Sequence, residues 1–368
     1  MSFGRLRRTI LGVSGFLTSR RFHSSPRFRG PIGSCISLAF TIVVLLAGPL
    51  LSGCDKNTGN PLSAGATGPS ILLAVNSLGN TVSAINLSTD NVTLKAFTVG
   101  RSPNQVKVAG GRIYIVNSLS NNIQVFDTAS FAPQGTIDLG DGANPMNIAF
   151  VGDKGYVSCL LTHDVRVVNL ATRAVVKSIP AGSGTTGIAG ANGKVYATNT
   201  GYSTPAYLPG SVTVINAVTD AVVDTVAVGT NPQAVEVGPD GRVHVVCTGD
   251  YVGIPGVVSV IDPVSDAVVI TIPIGGTPGS IAFSSNGTAF VGYFSDGVAT
   301  YNGRTYAIID SSTHKLIGTG GAGMASDGNG FMYVADFTND RVVKLDAAKS
   351  VVKTYTVGDG PVSLAVKQ

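Results

Sequence analysis

Residue types that usually carry catalysis or bind metals are scarce in this chain. Its 368 residues include only four histidines and four cysteines, and a single glutamate, Glu236, lies beyond the N-terminal segment. His163, His244 and His314 do not have the spacing of metal ligands, and no Cys-x-x-Cys-His motif is present to attach a c-type haem. Ser, His and Asp residues cannot be grouped into a specific triad. The sequence therefore predicts no metal, no cofactor and no catalytic residue.

Charged residues are also few, and their distribution argues against nucleic-acid binding. The 25 basic and 21 acidic residues give a net charge of +4, but seven of the basic residues are arginines within the first 35 positions. Without that segment, 18 basic residues face 21 acidic ones. The basic character therefore belongs to the N-terminus, and no basic stripe remains to bind DNA or RNA.

What the chain does contain is a unit repeated seven times between Ile71 and Val366. Each unit has alternating apolar strands that end at punctuating polar residues or glycines, since Asn and Asp start turns and Gly permits the positive φ of a tight strand exit. One column of the repeat comprises Asn86, Asp127, Asn169, Asn216, Asp262, Asp310 and Asp346. A second column comprises Gly100, Gly140, Gly182, Gly229, Gly275, Gly320 and Gly358. A period of roughly 40–50 residues with four short strands is typical of a β-propeller.

The ends of the repeat region predict a closed ring. The first unit begins at its second strand, "ILLAVN", whereas the chain ends with an additional first strand, "PVSLAV". Pairing the two gives seven complete four-stranded antiparallel blades and leaves no open sheet edge where the ring meets itself. We therefore predict an all-β, seven-bladed propeller over residues 71–368. Cys159 and Cys247 then lie in non-adjacent blades, too far apart for the ~7 Å Cα separation that a disulfide bond tolerates.

The second strand of each unit resembles that of a known family. The segment Val195-Tyr196-Ala197-Thr198-Asn199, with its relatives "IYIVN" and "MYVAD", is similar to the motif of the YVTN-repeat β-propellers of bacteria and archaea. "VSVIDP" and "NPQAVEVGPDG" fit the same family. The resemblance implies a propeller over about residues 71–368 in a secreted or surface protein, and it transfers no catalytic residue. Cys159, Cys247 and Tyr293 replace the motif's Asn in three blades.

The N-terminal segment predicts export and lipidation. Residues 1–35 are basic, residues 36–51 are almost entirely apolar, and small residues follow, as in a secretory signal. The run from Leu51 to Cys54 resembles the bacterial lipobox, which implies lipidation of Cys54; an ordinary signal or a plain membrane anchor is the alternative. We predict a signal with lipobox over 1–53 and a flexible tether over 54–70. Asp55 resembles an inner-membrane retention signal, so the protein is expected at the periplasmic side of that membrane or at the cell surface.

Two groups of residues are candidates for a binding site. The connections between the second and third strands are extended in units 4, 5 and 6, at 201–210, 249–256 and 294–304, and they contain Tyr202, Tyr207, Tyr251 and Tyr301. Tyrosine gives a large contact area with few rotatable bonds and a polar tip, which suits recognition. Glu236 and Lys107 lie on innermost strands, at a position where the other units have Ala149, Ala189, Ala282, Ala325 and Ala365. They indicate a polar site in the central channel.

The function predicted from these features is that of a lipid-anchored, extracytoplasmic binding or scaffold module. Its partner is expected to be a protein or a small molecule at the loops of blades 4–6, and the chain is expected to be a monomer. A propeller enzyme of the lactonase or dehydrogenase type is the first alternative, although the channel lacks the concentrated acids, His or Arg of such a site. A structural cell-surface protein without a discrete ligand is the second.

Overall fold

The computed structural model describes residues 70–203 and 206–367, so the predicted signal, the lipobox at Cys54 and the tether lie outside the described residues. The described chain is all-β and forms seven four-stranded antiparallel sheets, each of which is one blade of a propeller. The predicted fold class is therefore confirmed. Within each blade the strands are called A to D from the channel outwards.

The strands of the first four blades follow the repeat. Blade 1 contributes β1 (Ile71–Asn76), β2 (Thr81–Asn86) and β3 (Val92–Thr98). Blade 2 contains β4 (Pro103–Ala109), β5 (Arg112–Asn117), β6 (Asn122–Asp127) and β7 (Pro133–Asp138). Blade 3 contains β8 (Pro145–Val151), β9 (Lys154–Cys159), β10 (Asp164–Asn169) and β11 (Ala174–Pro180). Blade 4 contains β12 (Thr185–Ala191), β13 (Lys194–Asn199), a short hairpin of β14 (Tyr202–Ser203) and β15 (Ala206–Tyr207), then β16 (Ser211–Asn216) and β17 (Ala221–Ala227).

The last three blades have somewhat shorter strands. Blade 5 contains β18 (Pro232–Val237), β19 (Val243–Cys247), β20 (Val257–Asp262) and β21 (Ala267–Ile272). Blade 6 contains β22 (Ser280–Phe283), β23 (Thr288–Gly292), β24 (Val298–Asn302) and β25 (Ile308–Asp310). Blade 7 contains β26 (Met324–Ser326), β27 (Met332–Asp336), a 3₁₀ turn (Phe337–Asn339), β28 (Arg341–Leu345) and β29 (Val351–Thr356). The final strand, β30 (Pro361–Lys367), pairs with β1 from Ile71↔Lys367 to Val75↔Ser363, so the predicted ring closure is confirmed.

The core lies between the blades rather than within one of them. In one cluster Tyr114 and Val116 of blade 2 pack with Ile148 and Val157 of blade 3. Equivalent clusters join blades 4 and 5 and blades 7 and 1. Because each sheet buries its faces against its neighbours, the stability of one blade depends on the presence of the next.

Three glycines of the glycine column meet the end of a strand B across these interfaces, and this contact explains them better than backbone conformation does. The glycine that follows strand D of one blade faces the asparagine that ends strand B of the next. A Cβ on the glycine would lie 2.8 Å from the side chain for Gly100 and Asn117, 2.7 Å for Gly182 and Asn199, and 2.4 Å for Gly358 and Asn76. None of these three glycines has a positive φ. The space that each asparagine occupies therefore requires the glycine.

Blade 6 departs from the predicted columns. Asp310 does not end strand C; it lies in strand D, pairs with Thr300 in register and accepts hydrogen bonds from Thr300 and Lys349. Asn302 ends strand C instead, and its Oδ1 accepts the amides of Arg304 and Thr305 at 2.9 Å each. The predicted positions are wrong here because blade 6 carries its extra residues after strand D, at 311–323. Gly320 therefore lies well beyond Asp310, where strand D ends.

A second repeated device joins neighbouring blades at the turns between strands C and D. One residue of each turn has a left-handed backbone, and these residues are Asp90, Phe131, Arg173, Asp220, Asp266, Tyr306 and Lys349. Their side chains extend to the preceding blade. Asp220 accepts from Lys154 Nζ at 2.7 Å and from the Tyr156 hydroxyl at 2.6 Å, and Asp266 is bonded in the same way by Lys194 and Tyr196. Each blade thus holds the one before it through a single turn residue.

Candidate functional site

The alternating strand directions give the ring two distinct ends. The B–C and D–A connections share one end, called the loop face here, and the A–B and C–D connections share the other, the turn face. Ser70 lies on the turn face, because its carbonyl accepts the amide of Leu87 at the start of the first C–D turn. Any segment that precedes residue 70 therefore joins the ring at the end opposite the loop face.

A repeated hydrogen bond fixes the loop face in four blades. The fourth residue after the end of strand B has a left-handed backbone, and its side chain accepts an amide from the D–A loop that follows. These bonds run from Ser102 to Asn80, from Asn144 to Asn121 and from Gly360 to Asp340 at 2.9 Å each, and from Gly184 to His163 Nδ1 at 3.0 Å. Asn and Asp tolerate this backbone conformation and can make the bond, so the position has a structural role there.

Blades 4 and 5 lack this hydrogen bond, and their B–C loops carry tyrosines instead. In blade 5 the equivalent residue is Tyr251, which keeps the left-handed backbone at φ 64° yet is 59% exposed. Within residues 70–203 and 206–367, its hydroxyl has no hydrogen-bond partner. In blade 4 the β14–β15 hairpin occupies the loop and carries Tyr202 and Tyr207. The ring centroids lie 5.2 Å apart for Tyr202 and Tyr207 and 6.1 Å apart for Tyr207 and Tyr251. The two blades together therefore present a tyrosine cluster.

Tyr207 connects this cluster to the rim of the central channel. Burial raises the pKa of Tyr207, and the adjacent Tyr251 and Tyr202 raise it further, whereas Asn231 opposes the shift. The buried Asn231 accepts from Gln233 Nε2 at 2.7 Å through its Oδ1, while its Nδ2 has no partner at hydrogen-bond geometry. Gln233 lines the channel. Tyr207 is therefore the half-buried member of the cluster, and the two exposed tyrosines, Tyr202 and Tyr251, pack against it.

The fourth predicted tyrosine does not belong to the cluster. Tyr301 lies in β24 rather than in a loop, is fully buried, and bonds His244 Nδ1 through its hydroxyl at 2.7 Å. The B–C connection of blade 6 spans only 293–297, so the predicted arc covers blades 4 and 5 and not blade 6. Burial lowers the pKa of His244, although Asp240 opposes the shift, and raises the pKa of Tyr301. This pair is part of the packing between blades 5 and 6.

Exposed apolar side chains occur in the B–C loops of several blades, a feature that sequence reasoning missed. Val252 is 95% exposed, and other exposed apolar residues of the B–C loops are Leu78, Leu119, Leu161, Leu208, Ile254 and Phe294. The signal was present in the sequence, because "NSLGN", "NSLSN" and "CLLTH" each place a leucine at the same point of a polar loop. Leu208, Val252 and Ile254 lie in the same loops as the tyrosines, so the loops of blades 4 and 5 combine exposed aromatic and apolar side chains.

The second predicted group lies where the sequence placed it. Lys107 and Glu236 both line a central channel of about 750 Å³, together with Ala282, Ala325 and Ala365. Ala149 and Ala189 are buried. Among the described residues, no group of His, Cys, Asp or Glu is arranged to hold a metal ion, and no helix is long and apolar enough to cross a membrane.

The chain has the architecture of a seven-bladed propeller, and solved structures of similar fold are diverse. Hydrazine synthase of Kuenenia stuttgartiensis has a TM-score of 0.60 and 17% identity over 71% of this chain and 88% of that chain. A Bacteroides fragilis protein described as a candidate 6-phosphogluconolactonase has a TM-score of 0.64 and 14% identity over 82% and 98%. The dihydro-heme d1 dehydrogenase NirN has a TM-score of 0.55 and 15% identity over 86% and 77%. At these identities the likeness shows the fold alone.

No protein-family model matches the chain, and no curated protein sequence matches it significantly. The resemblance to YVTN-repeat propellers therefore stays a prediction from the strand-B motif, and lipidation of Cys54 stays a prediction from the lipobox.

Proposed function

We propose that this protein is a lipid-anchored, extracytoplasmic binding module that recognises a partner protein through the tyrosine cluster on its loop face. The observation that carries the proposal is that Tyr251 occupies the loop-fixing position of blade 5 without making the hydrogen bond that fixes the loop. Four other blades use the equivalent residue to fix a loop, whereas blade 5 keeps the left-handed backbone and gives up the bond. A bulky residue in this conformation costs on the order of 1 kcal/mol or more. Phe131 and Tyr306 adopt it where their side chains contact the preceding blade, whereas Tyr251 adopts it with an exposed side chain.

The form of the surface favours a protein over a small molecule. Sites for small molecules are concave and bury most of the ligand. Tyr202, Tyr251 and Val252 instead project from loops, with exposed fractions of 47%, 59% and 95%. Exposed Tyr together with exposed Leu208, Val252 and Ile254 in the same loops gives this surface the aromatic and apolar residues that contribute most to binding at protein–protein interfaces.

The charges of the loop face argue against direct docking on a bilayer. Attraction to anionic lipids needs clustered Lys and Arg. The B–C and D–A loops carry two basic residues, Arg101 and Lys315, against the acids Asp141, Asp250, Asp296, Asp340 and Asp359. Lys315 is moreover paired with Asp296. Because Ser70 lies on the turn face, the predicted tether joins the ring at the end opposite the tyrosine cluster and leaves the cluster free for a partner.

The binding proposal is tested by placing a photo-crosslinking amino acid at position 251 in the full-length, membrane-anchored protein. We expect a discrete adduct from position 251, because exposed aromatic anchors contribute most of the affinity at such surfaces. A probe at Leu119, which is 53% exposed on the same face of blade 2, is the matched control and should give none. Adding Tyr202→Ala should weaken the adduct about thirtyfold, equivalent to about 2 kcal/mol, with the melting temperature unchanged. Equal adducts at 251 and 119 would remove the proposal.

Anchoring is tested separately. Cys54→Ala should abolish palmitate labelling and release the protein from membranes or leave it as a precursor. Stable anchoring needs more than one acyl chain, each of which contributes about 0.8 kcal/mol per buried CH₂. Cys35→Ala is the matched control and should keep its label. Equal labelling of wild type and Cys54→Ala would show that the lipobox assignment is wrong while leaving the tyrosine cluster untouched.

An enzyme remains the alternative because all three of the similar structures carry enzyme names. Names at this identity are an analogy of fold only. Among the described residues that line the channel, the ionisable side chains are those of Lys107 and Glu236, and neither His nor Cys is present. The tyrosine cluster is thus the better-supported site.

A further inference from the structure

The innermost strands contain one position that is structurally identical in all seven blades. Its residue is fixed by register, since it pairs with the second or third residue of strand B in the same sheet. The pairs are Ala365↔Leu73, Lys107↔Tyr114, Ala149↔Tyr156, Ala189↔Tyr196, Glu236↔His244, Ala282↔Phe290 and Ala325↔Tyr333. Five of the seven positions are alanine. The other two are a lysine and the only glutamate in the chain.

The two exceptions carry opposite charges and face one another. Lys107 belongs to blade 2 and Glu236 to blade 5, so in a ring of seven they lie almost diametrically across the channel. Both are half-buried and line the lumen. Among the described residues neither takes part in an ion pair, and Glu236 accepts only the amide of Val237 at 3.3 Å. The channel therefore holds one positive and one negative group at the same level, each without an ionic partner.

Their surroundings leave room for a ligand between them. The lining positions at this level in blades 1, 6 and 7 are the alanines Ala365, Ala282 and Ala325, which project almost nothing into the lumen. A volume of about 750 Å³ lies within the range of small-molecule sites. Half-buried charges interact more strongly than fully solvated ones because the local dielectric is lower. A molecule that brings a charge to each of them replaces the water that each would otherwise hold.

From this arrangement we propose that the channel binds a small zwitterion, a molecule with an ammonium group that pairs with Glu236 and a carboxylate that pairs with Lys107. A short peptide with free ends has this chemistry. A simple anion or cation would satisfy one group and leave the other unpaired, so the site discriminates by charge pattern. The proposal goes beyond the binding function of the loop face, because the ligand lies on the ring axis and contacts none of the three tyrosines of the cluster.

The test uses the full-length protein in detergent and calorimetric titration with three forms of trialanine. We expect the free peptide to bind, and N-acetylation or C-amidation each to weaken binding about tenfold or more, since each removes one charged hydrogen bond. Glu236→Gln should abolish the effect of acetylation, and Lys107→Met should abolish the effect of amidation. The exchange variant that combines Lys107→Glu with Glu236→Lys should recover binding, with the peptide reversed.

The controls separate this site from other lysines and from the loop face. Lys95→Met alters an exposed lysine of β3 and should titrate like wild type. Tyr251→Ala should also titrate like wild type, because Tyr251 lies on the loop face and does not line the channel. Absence of binding at millimolar free peptide, or equal affinity for the free, acetylated and amidated forms, would overturn the proposal with the wild-type protein alone.

Discussion

Deletion of residues 361–368 is expected to abolish the cooperative folding of the whole ring. This deletion removes β30 and exposes the edge of β1, whose core residues Leu72, Leu73, Ala74 and Val75 are fully buried. Loss of packing around one large core side chain costs roughly 2–5 kcal/mol, and the total stability of a domain is only about 5–15 kcal/mol. A whole strand therefore exceeds what the fold can lose. The measurement is thermal unfolding followed by circular dichroism, together with aggregation by light scattering.

The matched control returns the same strand by another route. Because Lys367 pairs with Ile71, residues 361–367 can be placed before Ile71 and joined to it by a short glycine-containing turn. This permuted chain should recover a cooperative transition near that of the wild type, since its blade 1 has the same four strands in the same order. A truncated protein that melts like the wild type would show that β30 does not close the ring.

Among glycine-to-alanine substitutions on the loop face, Gly297→Ala is expected to lower the free energy of unfolding the most. A Cβ at Gly297 would lie 1.8 Å from the carbonyl oxygen of Ile317, and the backbone φ of +92° is unfavourable for any side chain. The obstacle is main chain of the D–A loop, which cannot move aside by changing a rotamer. Overpacking costs about 1–3 kcal/mol and the backbone strain a further 1–2 kcal/mol. We expect a loss of roughly 2–5 kcal/mol in denaturant unfolding.

The appropriate comparison is Gly142→Ala, which lies on the same face and also has a positive φ, 73°. No heavy atom lies within 4 Å of its Cβ position, so the substitution introduces only backbone strain. It should lower the free energy of unfolding by about 1–2 kcal/mol. The difference between the two variants measures the close approach of the D–A loop. Equal losses would mean that this loop yields freely and does not hold the loop face of blade 6 in place.

Most of the architecture was predictable because each rule acts within one repeat. Alternation within each unit indicated the short strands, and the incomplete first unit predicted the closure by β30. Lys107 and Glu236 could be placed in the channel for the same reason, since register along an innermost strand decides which side chains face the axis.

The errors arose where contacts join different repeats or where one repeat is lengthened. Gly100, Gly182 and Gly358 are required by an asparagine of the next blade, which no single repeat contains. Gly140, Gly275 and Gly320 instead have the predicted positive φ. Tyr301 was placed on a loop because the residues inserted after strand D of blade 6 shifted the alignment by one strand. The caps on the loop face were visible as an Asn, His or Asp four residues after strand B, as in "NSLGN", but their partners lie about twenty residues further on.

The antiparallel pairing of β30 with β1 has a practical consequence for handling the protein. Since Lys367 lies opposite Ile71, a reporter domain fused to the C-terminus would emerge on the turn face, next to the chain that enters from residue 70. The fusion point and the chain that enters at residue 70 would then lie at the same end of the ring. A fluorescent or affinity tag placed there would leave the opposite end open for imaging and capture, whereas an insertion near Leu208 would obstruct it.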